Sequence, residues 1–325
     1  MIADNICDKP VFICGHRRSG TTMFLCLLDN HPELLVHPAD TGFFYAVFPD
    51  CEDQPKNVVE QKVVERCLRD CLSNEMAHVD RPNMFDLDAM AQTYSNRMAG
   101  LNNTSANHLK MMILAYGEHC GQPNEKWKRW VEKTTSTEIY ASEIISWFPE
   151  ALFIHVLRDP RDNWASLKSG WQARYQYQEN DLRSLLQSLF DRGGLGMRMA
   201  ELNGEGIGRS AYMAIRYEDV VTRWPDIAKE VADFLNIELN DKMYSPTVNG
   251  VLWPGNNFDG MVHDAPSAYN ITRWAERTEP EEVALIEAHM GYLMEQFGYE
   301  LTTSPLERTL AANKHYRWLN KETKR

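Results

Sequence analysis

The sequence predicts an α/β fold in which helices cover both faces of a central parallel sheet. Short apolar segments typical of buried strands alternate with segments whose apolar residues recur at helical spacing. Strands that alternate with helices form parallel sheets enclosed on both sides, which gives a three-layer sandwich. Ligands of such sheets bind beyond the carboxyl ends of the strands. We therefore look for function in the residues that follow each strand.

The strand and helix candidates follow one another in the order that this fold requires. Clear strand patterns lie at 11–14, 151–157 and 212–217, and weaker ones at 34–37 and 129–132. Helices are predicted at 21–30, 160–169, 223–236, 280–297 and, in the basic tail, 307–325. Pro160 occupies a favoured first-turn position. Acidic residues open the 280–297 helix, where they suit its dipole.

The chain organisation is simple. Its 325 residues show no internal repeat, low-complexity segment or obvious linker. We therefore expect a single domain over residues 1–325, in which a helix-rich region at about 43–122 carries no chemical motif.

Composition excludes several classes of function. The net charge of -12 argues against a general nucleic-acid binder, which needs a concentrated basic surface. No apolar run reaches 18 residues and the N-terminus lacks a signal-peptide pattern, so no membrane association is expected. The seven cysteines are scattered, without CxxC or zinc-site spacing. We interpret them as reduced thiols of a cytoplasmic protein.

The strongest local signal is the loop at 15–22, Gly-His-Arg-Arg-Ser-Gly-Thr-Thr, between a strand and a helix. Successive backbone N–H groups of such a loop can point at an anion, and the helix N-terminus adds partial positive charge. Thr21 and Thr22 supply hydroxyl donors, and Arg18 supplies a permanent cation. The alternative is a tight strand–helix turn with an incidental arginine.

The loop is P-loop-like, but it departs from the ATP-binding pattern at one position. Thr21 stands where G-x-x-x-x-G-K-[ST] requires lysine, and the cation is three residues earlier, at Arg18. No strand ends in a clear magnesium-binding aspartate. These two features disfavour ATP chemistry, although a P-loop kinase or nucleotidase remains the alternative enzyme. A non-catalytic nucleotide-binding protein is the third class.

A second constellation follows the strand candidate at 151–157. Arg158 leaves the strand end, and Ser166 lies two helical turns further on, facing back toward it. An arginine and a serine that converge in this way can hold a second phosphate. The alternative is a surface ion pair between Arg158 and Asp159 or Asp162.

Together the two motifs resemble those of the sulfotransferases that use 3′-phosphoadenosine 5′-phosphosulfate (PAPS), particularly the branch of bacterial and tyrosylprotein-type enzymes. The 18–22 segment resembles the 5′-phosphosulfate loop of that branch, and 158–166 its R-D-P-R-D-x-x-x-S block. Similar segments continue along most of the chain, at 132–134, 216–219, 256–258, 273–274 and 297–299. The 43–122 region matches no motif, and in this family it usually shapes the acceptor pocket.

The resemblance implies a role for each matched residue. The 5′-phosphosulfate would be held by Arg17, Arg18, Ser19, Gly20, Thr21 and Thr22. The 3′-phosphate would be held by Arg158, Ser166 and Arg273, with Tyr217 at the adenine and Asn257 in a further nucleotide-binding loop. Arg18 and Lys133 would act in catalysis, Lys133 on the bridging oxygen as charge develops there. The donor has a good leaving group, so no metal is expected, and the predicted acceptor is a small molecule with a hydroxyl or amine.

The sequence alone does not decide which residue acts as the general base. The resemblance places a carboxylate soon after the first helix, where Asp40 stands, one methylene shorter than the expected glutamate. His37 and His263 are the rivals, because imidazole is the base in other sulfotransferases. The acceptor and the oligomeric state are also open, with a homodimer among the states allowed.

Overall fold

The sheet has five strands, all parallel. The computed structural model describes residues 6–175, 179–256, 261–262 and 264–322. Its strands are β1 Pro10–Cys14, β2 Leu34–Asp40, β3 Arg129–Lys133, β4 Leu152–Leu157 and β5 Tyr212–Arg216, in the order β2-β3-β1-β4-β5. All five predicted strands are present, and the predicted α/β three-layer fold is confirmed. A small antiparallel pair follows, β6 Thr247–Val248 and β7 Val251–Leu252.

Helices surround this sheet. Those that follow the strands are α1 Thr21–Leu28, α2 Phe43–Ala46, α7 Ala141–Trp147, α8 Pro160–Tyr175 and α11 Tyr217–Thr222. The helix-rich region contributes α3 Lys56–Lys62, α4 Cys71–His78, α5 Leu87–Met98 and α6 Ser105–His119, with a π-helical segment at Val63–Asp70. The remainder are α9 Glu179–Ser188, α10 Gly194–Gly206, α12 Trp224–Leu235, α13 Trp274–Arg277, α14 Pro280–Gln296 and α15 Pro305–Glu322. Short 3-10 turns lie at Thr137–Tyr140, Asp241–Tyr244 and Ala268–Asn270, and a π-helical segment at Leu189–Gly193.

The alternation of side chains along β1 shows how the layers form. Val11 and Ile13 point to one face and pack in a cluster that includes Phe24 of α1. Phe12 points to the other face, where its ring stacks on that of Phe153 at 5.6 Å, in a core cluster that also includes residues of α5 and α6. Successive residues of a strand face opposite sides, so a fully apolar strand needs cover on both.

The helix-rich region therefore has a structural role, because its helices α4 and α6 pack directly on β2. Among the described residues, no helix is both long and apolar enough to cross a membrane.

Truncating the central aromatic of the sheet tests this account of the core. Phe12→Ala removes a fully buried ring, and we expect the free energy of unfolding to fall by about 3–5 kcal/mol in urea denaturation. Tyr316→Ala is the control, since this side chain is 64% exposed and should change stability by about 0.5 kcal/mol or less. Equal effects of the two changes would contradict the assignment of this face to the core.

Candidate active site

A cavity of about 290 Å³ opens at the carboxyl ends of the parallel strands. It brings together residues from the ends of the five strands or from the segments that follow them, which are far apart in sequence. Among the predicted site residues, those lining it are Arg17, Arg18, Gly20, Thr21, Thr22, Asp40, Lys133, Arg158, Ser166, Tyr217 and Arg273. This is the position at which an open parallel sheet binds its ligands.

The loop at the head of α1 has a conformation that demands its two glycines. Gly15 has a φ of 136°, and a Cβ there would lie 2.4 Å from the carbonyl oxygen of Val156. Gly20 has a φ of 95°, and its Cβ would lie 2.4 Å from the ring of Tyr217. α1 begins at Thr21 and has no acidic residue in its first turn. The positive end of this helix therefore adjoins the cavity, and no carboxylate of its own first turn offsets it.

The two predicted anion-binding motifs touch each other directly. Arg18 donates from Nε to Ser166 Oγ at 3.0 Å and from Nη2 to the Asn256 carbonyl oxygen at 3.0 Å. Arg158 donates from Nη1 to the Arg18 carbonyl oxygen at 2.8 Å and from Nη2 to that of Asn270 at 2.9 Å. Residues 140 positions apart thus form one hydrogen-bonded group at the cavity wall.

The neighbouring carboxylates are engaged elsewhere. Asp159 forms a salt bridge with Arg161 at 2.7 Å, and Asp162 accepts hydrogen bonds from backbone N–H groups in the 272–274 segment. Within the described part of the chain, Arg158 forms no salt bridge with Asp159 or Asp162, although burial, which raises the pKa of Asp162, is opposed by the smaller effect of the Arg158 charge. The Arg158 guanidinium lines the cavity instead.

Aromatic rings hold two of the predicted site arginines. The guanidinium carbon of Arg158 lies 4.5 Å from the centre of the Tyr217 ring, and that of Arg273 lies 4.5 Å from the centre of the Tyr269 ring. Such contacts orient a cation without neutralising it. Arg17 also faces the cavity and donates from Nη2 to Ser188 Oγ at 3.1 Å.

Ser19 is placed differently from the other loop residues. Its side chain is buried behind the loop, where Oγ accepts a hydrogen bond from Asn163 Nδ2 at 3.0 Å. Its backbone N–H donates to the His16 carbonyl oxygen at 3.1 Å. Ser19 thus holds the loop in shape and does not face the cavity. Asn257 and His263 lie outside the described residues.

Lys133 and Asp40 meet at the ends of their strands. The Lys133 Nζ lies 2.9 Å from Asp40 Oδ2, and the lysine side chain is 6% exposed against 36% for the aspartate. The β2–β3 register is interrupted after Val36 and resumes with Asp40 opposite Lys133. Gly42 donates its backbone N–H to Asp40 Oδ1 at 3.1 Å. This irregular strand end is what aims the carboxylate into the cavity.

His37 is not part of this group. Its ring is fully buried against Tyr116, with centroids 5.1 Å apart, and its Nδ1 lies 3.1 Å from the Ala39 carbonyl oxygen. Burial lowers the pKa of His37 to about 4. This histidine does not line the cavity, whereas Asp40 does.

The sequence predicted no functional role for two buried carboxylates near the cavity. Glu132 and Glu138 are both completely buried, and burial raises the pKa of each to about 7. Glu138 accepts a hydrogen bond at Oε2 from the N–H of Gly15, the first residue of the loop, at 2.9 Å. For Glu132 the sequence does contain a signal, because a buried strand such as β3 is expected to be apolar at its inward positions.

Comparison with known proteins identifies the family of the chain. The model of the sulfotransferase family matches residues 10–241, well over half of the chain. The chain therefore belongs to the sulfotransferase family and is an enzyme of that class. The competing interpretation as a P-loop kinase or nucleotidase is not favoured. No curated protein sequence matches the chain.

Two of the solved structures that match the chain illustrate the shared fold. The sulfotransferase domain of the olefin synthase of Synechococcus PCC 7002 is 19% identical, with a TM-score of 0.61, over 93% of this chain and 99% of that domain. The sulfotransferase domain from the curacin biosynthetic pathway is 16% identical, with a TM-score of 0.61, over 90% of this chain and 99% of that domain. At this level of identity the likeness extends to the fold alone.

Substitution of Gly20 tests the loop geometry. Gly20→Ala forces a methyl group against Tyr217 at a positive φ, so we expect a loss of about 2–4 kcal/mol in the free energy of unfolding, from strain and overpacking together. Gly100→Ala is the matched control, because Gly100 has a φ of 79° but open space around its Cβ. It should cost about 1 kcal/mol. Similar losses for both would contradict the close contact with Tyr217.

The raised pKa of Glu138 predicts a pH dependence of stability. The native protein keeps this proton up to about pH 7, whereas the unfolded chain loses it near 4.5. The folded state thus binds more protons between these values, and the contribution of Glu138 to stability falls as the pH rises through that window. We expect Glu138→Gln, compared with the wild type by urea denaturation, to gain relative stability between pH 5 and pH 8. Parallel stability curves would show that Glu138 is already ionised in the folded protein.

Proposed function

We propose that this sulfotransferase moves a sulfuryl group from PAPS to a hydroxyl or amine of a small-molecule acceptor. The observation that carries the proposal is the joined group of Arg18, Ser166 and Arg158 beside the helix N-terminus at Thr21. It concentrates cations and hydroxyl donors in a protein whose net charge is -12. A donor with phosphates at both its 5′ and 3′ positions suits two anion-binding motifs that share one wall.

The chain's own residues supply the rest of the chemistry. In an in-line displacement the acceptor oxygen or nitrogen bonds to sulfur while the bond from sulfur to the bridging oxygen breaks. Lys133 is the cation nearest the proposed base and would neutralise the charge that develops on the leaving phosphate. Asp40 would take the acceptor's proton, since each of its oxygens can accept a further hydrogen bond.

The remaining roles follow from position in the cavity. We assign Thr21, Thr22 and Arg17 to the 5′ end of the donor, Arg273 to its 3′ end and Tyr217 to the adenine. The segment from Trp253 to Asn256 lines the same cavity and is our candidate for the acceptor side, with Asp40. The exclusion of a metal ion from the reaction remains a prediction.

The proposal extends to the domain organisation, the location and the oligomeric state of the protein. We propose that residues 1–325 form one domain, because the helix-rich region packs on the sheet it would serve. A cytoplasmic location is supported by the seven cysteines, all of them free thiols. The homodimer stays a prediction.

Loss of Arg158 tests the donor site. We expect Arg158→Ala to weaken the binding of 3′,5′-adenosine bisphosphate about 10- to 100-fold in calorimetry, because a charge-assisted contact of about 1.5–3 kcal/mol is removed. Arg66→Ala is the control, an exposed arginine whose side chain is paired with Asp70 on the helix-rich region. Tighter binding of ADP with magnesium than of the bisphosphate, or equal affinities in the two variants, would overturn the proposal.

Loss of Lys133 tests the catalytic step separately. Lys133→Ala should lower the single-turnover rate of PAPS about 100-fold or more, while the affinity for the bisphosphate changes much less, because the interaction is strongest in the transition state. Lys168→Ala is the matched control, since this partly buried lysine is paired with Glu282. A rate that stays at the wild-type value would remove Lys133 from the mechanism.

A further inference from the structure

Glu132 is a fully buried carboxylate on a largely apolar face of the sheet. It alternates along β3 with Lys133, so its side chain points to the same side as Trp130, into the cluster that contains Phe12. A carboxylate at this position costs folding free energy unless it is well hydrogen-bonded. An aliphatic side chain would fill the same space without that cost. Packing alone therefore does not account for a carboxylate at this position.

Glu132 forms hydrogen bonds with the residues that directly follow Asp40 and Lys133 in the chain. Its Oε1 accepts hydrogen bonds from Thr41 Oγ1 at 2.5 Å and from Thr134 Oγ1 at 2.6 Å. The two hydroxyl oxygens are 3.0 Å apart. Thr41 follows Asp40 directly in the chain, and Thr134 follows Lys133. One buried oxygen thus connects the residue after the proposed base to the residue after the proposed catalytic lysine.

Two further hydrogen bonds make this connection rigid. Thr41 donates its backbone N–H to the Lys133 carbonyl oxygen at 3.2 Å. Its hydroxyl also accepts the N–H of Phe43 at 3.2 Å, which fixes the start of α2. The β2–β3 ladder is interrupted just before Asp40. Regular pairing therefore does not by itself place Asp40 and Lys133 2.9 Å apart.

We propose that Glu132 is a positioning residue, which through Thr41 and Thr134 holds Asp40 and Lys133 in the geometry that sulfuryl transfer requires. This inference rests on the proposed function. In this proposal Glu132 contacts neither the donor nor the acceptor and acts only through other residues. Misplacement of a reacting group by about 1 Å is enough to lower the rate about 100-fold. The gain in rate from correct positioning can therefore outweigh the free energy that burial of the Glu132 carboxylate costs.

Glu138, which lies in the 3-10 turn shortly after β3, provides a matched comparison with Glu132. It has the same chemistry and burial as Glu132, and the pKa of both is raised to about 7. Its hydrogen bond goes to Gly15 of the donor loop instead. Loss of Glu138 should therefore disturb donor binding, and loss of Glu132 should disturb turnover.

The test compares Glu132→Leu, Glu132→Gln and Glu138→Leu with the wild type. Affinity is measured by calorimetry with 3′,5′-adenosine bisphosphate. Turnover is measured as release of that bisphosphate from PAPS in a single-turnover experiment with water as the acceptor. Water attacks sulfur, the bridging bond breaks, and sulfate, the bisphosphate and a proton are the products. This readout needs no knowledge of the natural acceptor.

We expect Glu132→Leu to lower the turnover rate about tenfold or more, with the affinity changed less than about threefold. Glu132→Gln keeps an oxygen that accepts both hydroxyl bonds, so it should restore the rate to within about threefold of the wild type. Glu138→Leu should weaken bisphosphate binding. A Glu132→Leu rate equal to that of the wild type, or a parallel loss of rate and affinity, would overturn the inference.

Failure of the proposed function and failure of the Glu132→Leu variant to fold are distinguishable from these results. If the wild type neither binds the bisphosphate nor turns over PAPS, the proposed function fails, and Glu132 is not at issue. If Glu132→Leu does not fold, Thr134→Val takes its place, because it removes one of the two hydroxyl bonds at nearly constant volume. It should lower the rate and leave the affinity unchanged, and a wild-type rate would count against the role of Glu132.

Discussion

The architecture of the site depends on the hydrogen bonds that join the loop after β1 to the helix after β4. Arg158 donates to the Arg18 carbonyl oxygen, and Arg18 donates to Ser166. These bonds hold Arg18 at a positive φ of 67°, a conformation that a non-glycine residue keeps only when its surroundings impose it. Because β1 and β4 are neighbours in the sheet, the parallel topology brings the two motifs close enough for these bonds to form.

The other side of the cavity depends on β3, the second neighbour of β1. This strand ends in Lys133. Pairing between β2 and β3 is interrupted after Val36 and resumes where Asp40 lies opposite Lys133. The donor side is therefore built on a regular strand pair and the proposed acceptor side on an irregular one. An irregular strand end can aim a side chain where regular pairing would not, but it needs support from neighbouring groups. The buried carboxylate of Glu132 is in position to give that support.

The sequence predicted the fold almost completely, because apolar strands such as 151–157 and the helices after them have strong local patterns. Most of the site residues that it predicted line the cavity, because they belong to motifs whose spacing has a physical reason, such as the loop that contains the glycines at 15 and 20. It could not exclude His37, because burial of a single ring depends on packing by α6, which no motif marks. It placed Ser19 among the donor-binding residues, since loop membership does not reveal that its hydroxyl points inward to Asn163.

The central claim is that one donor spans the two joined motifs, and a crystal structure with 3′,5′-adenosine bisphosphate bound tests it most directly. The account predicts the 5′-phosphate against Arg18, Thr21 and Thr22, and the 3′-phosphate against Arg158 and Ser166. A nucleotide bound outside this cavity, or with the two phosphates exchanged, would contradict it.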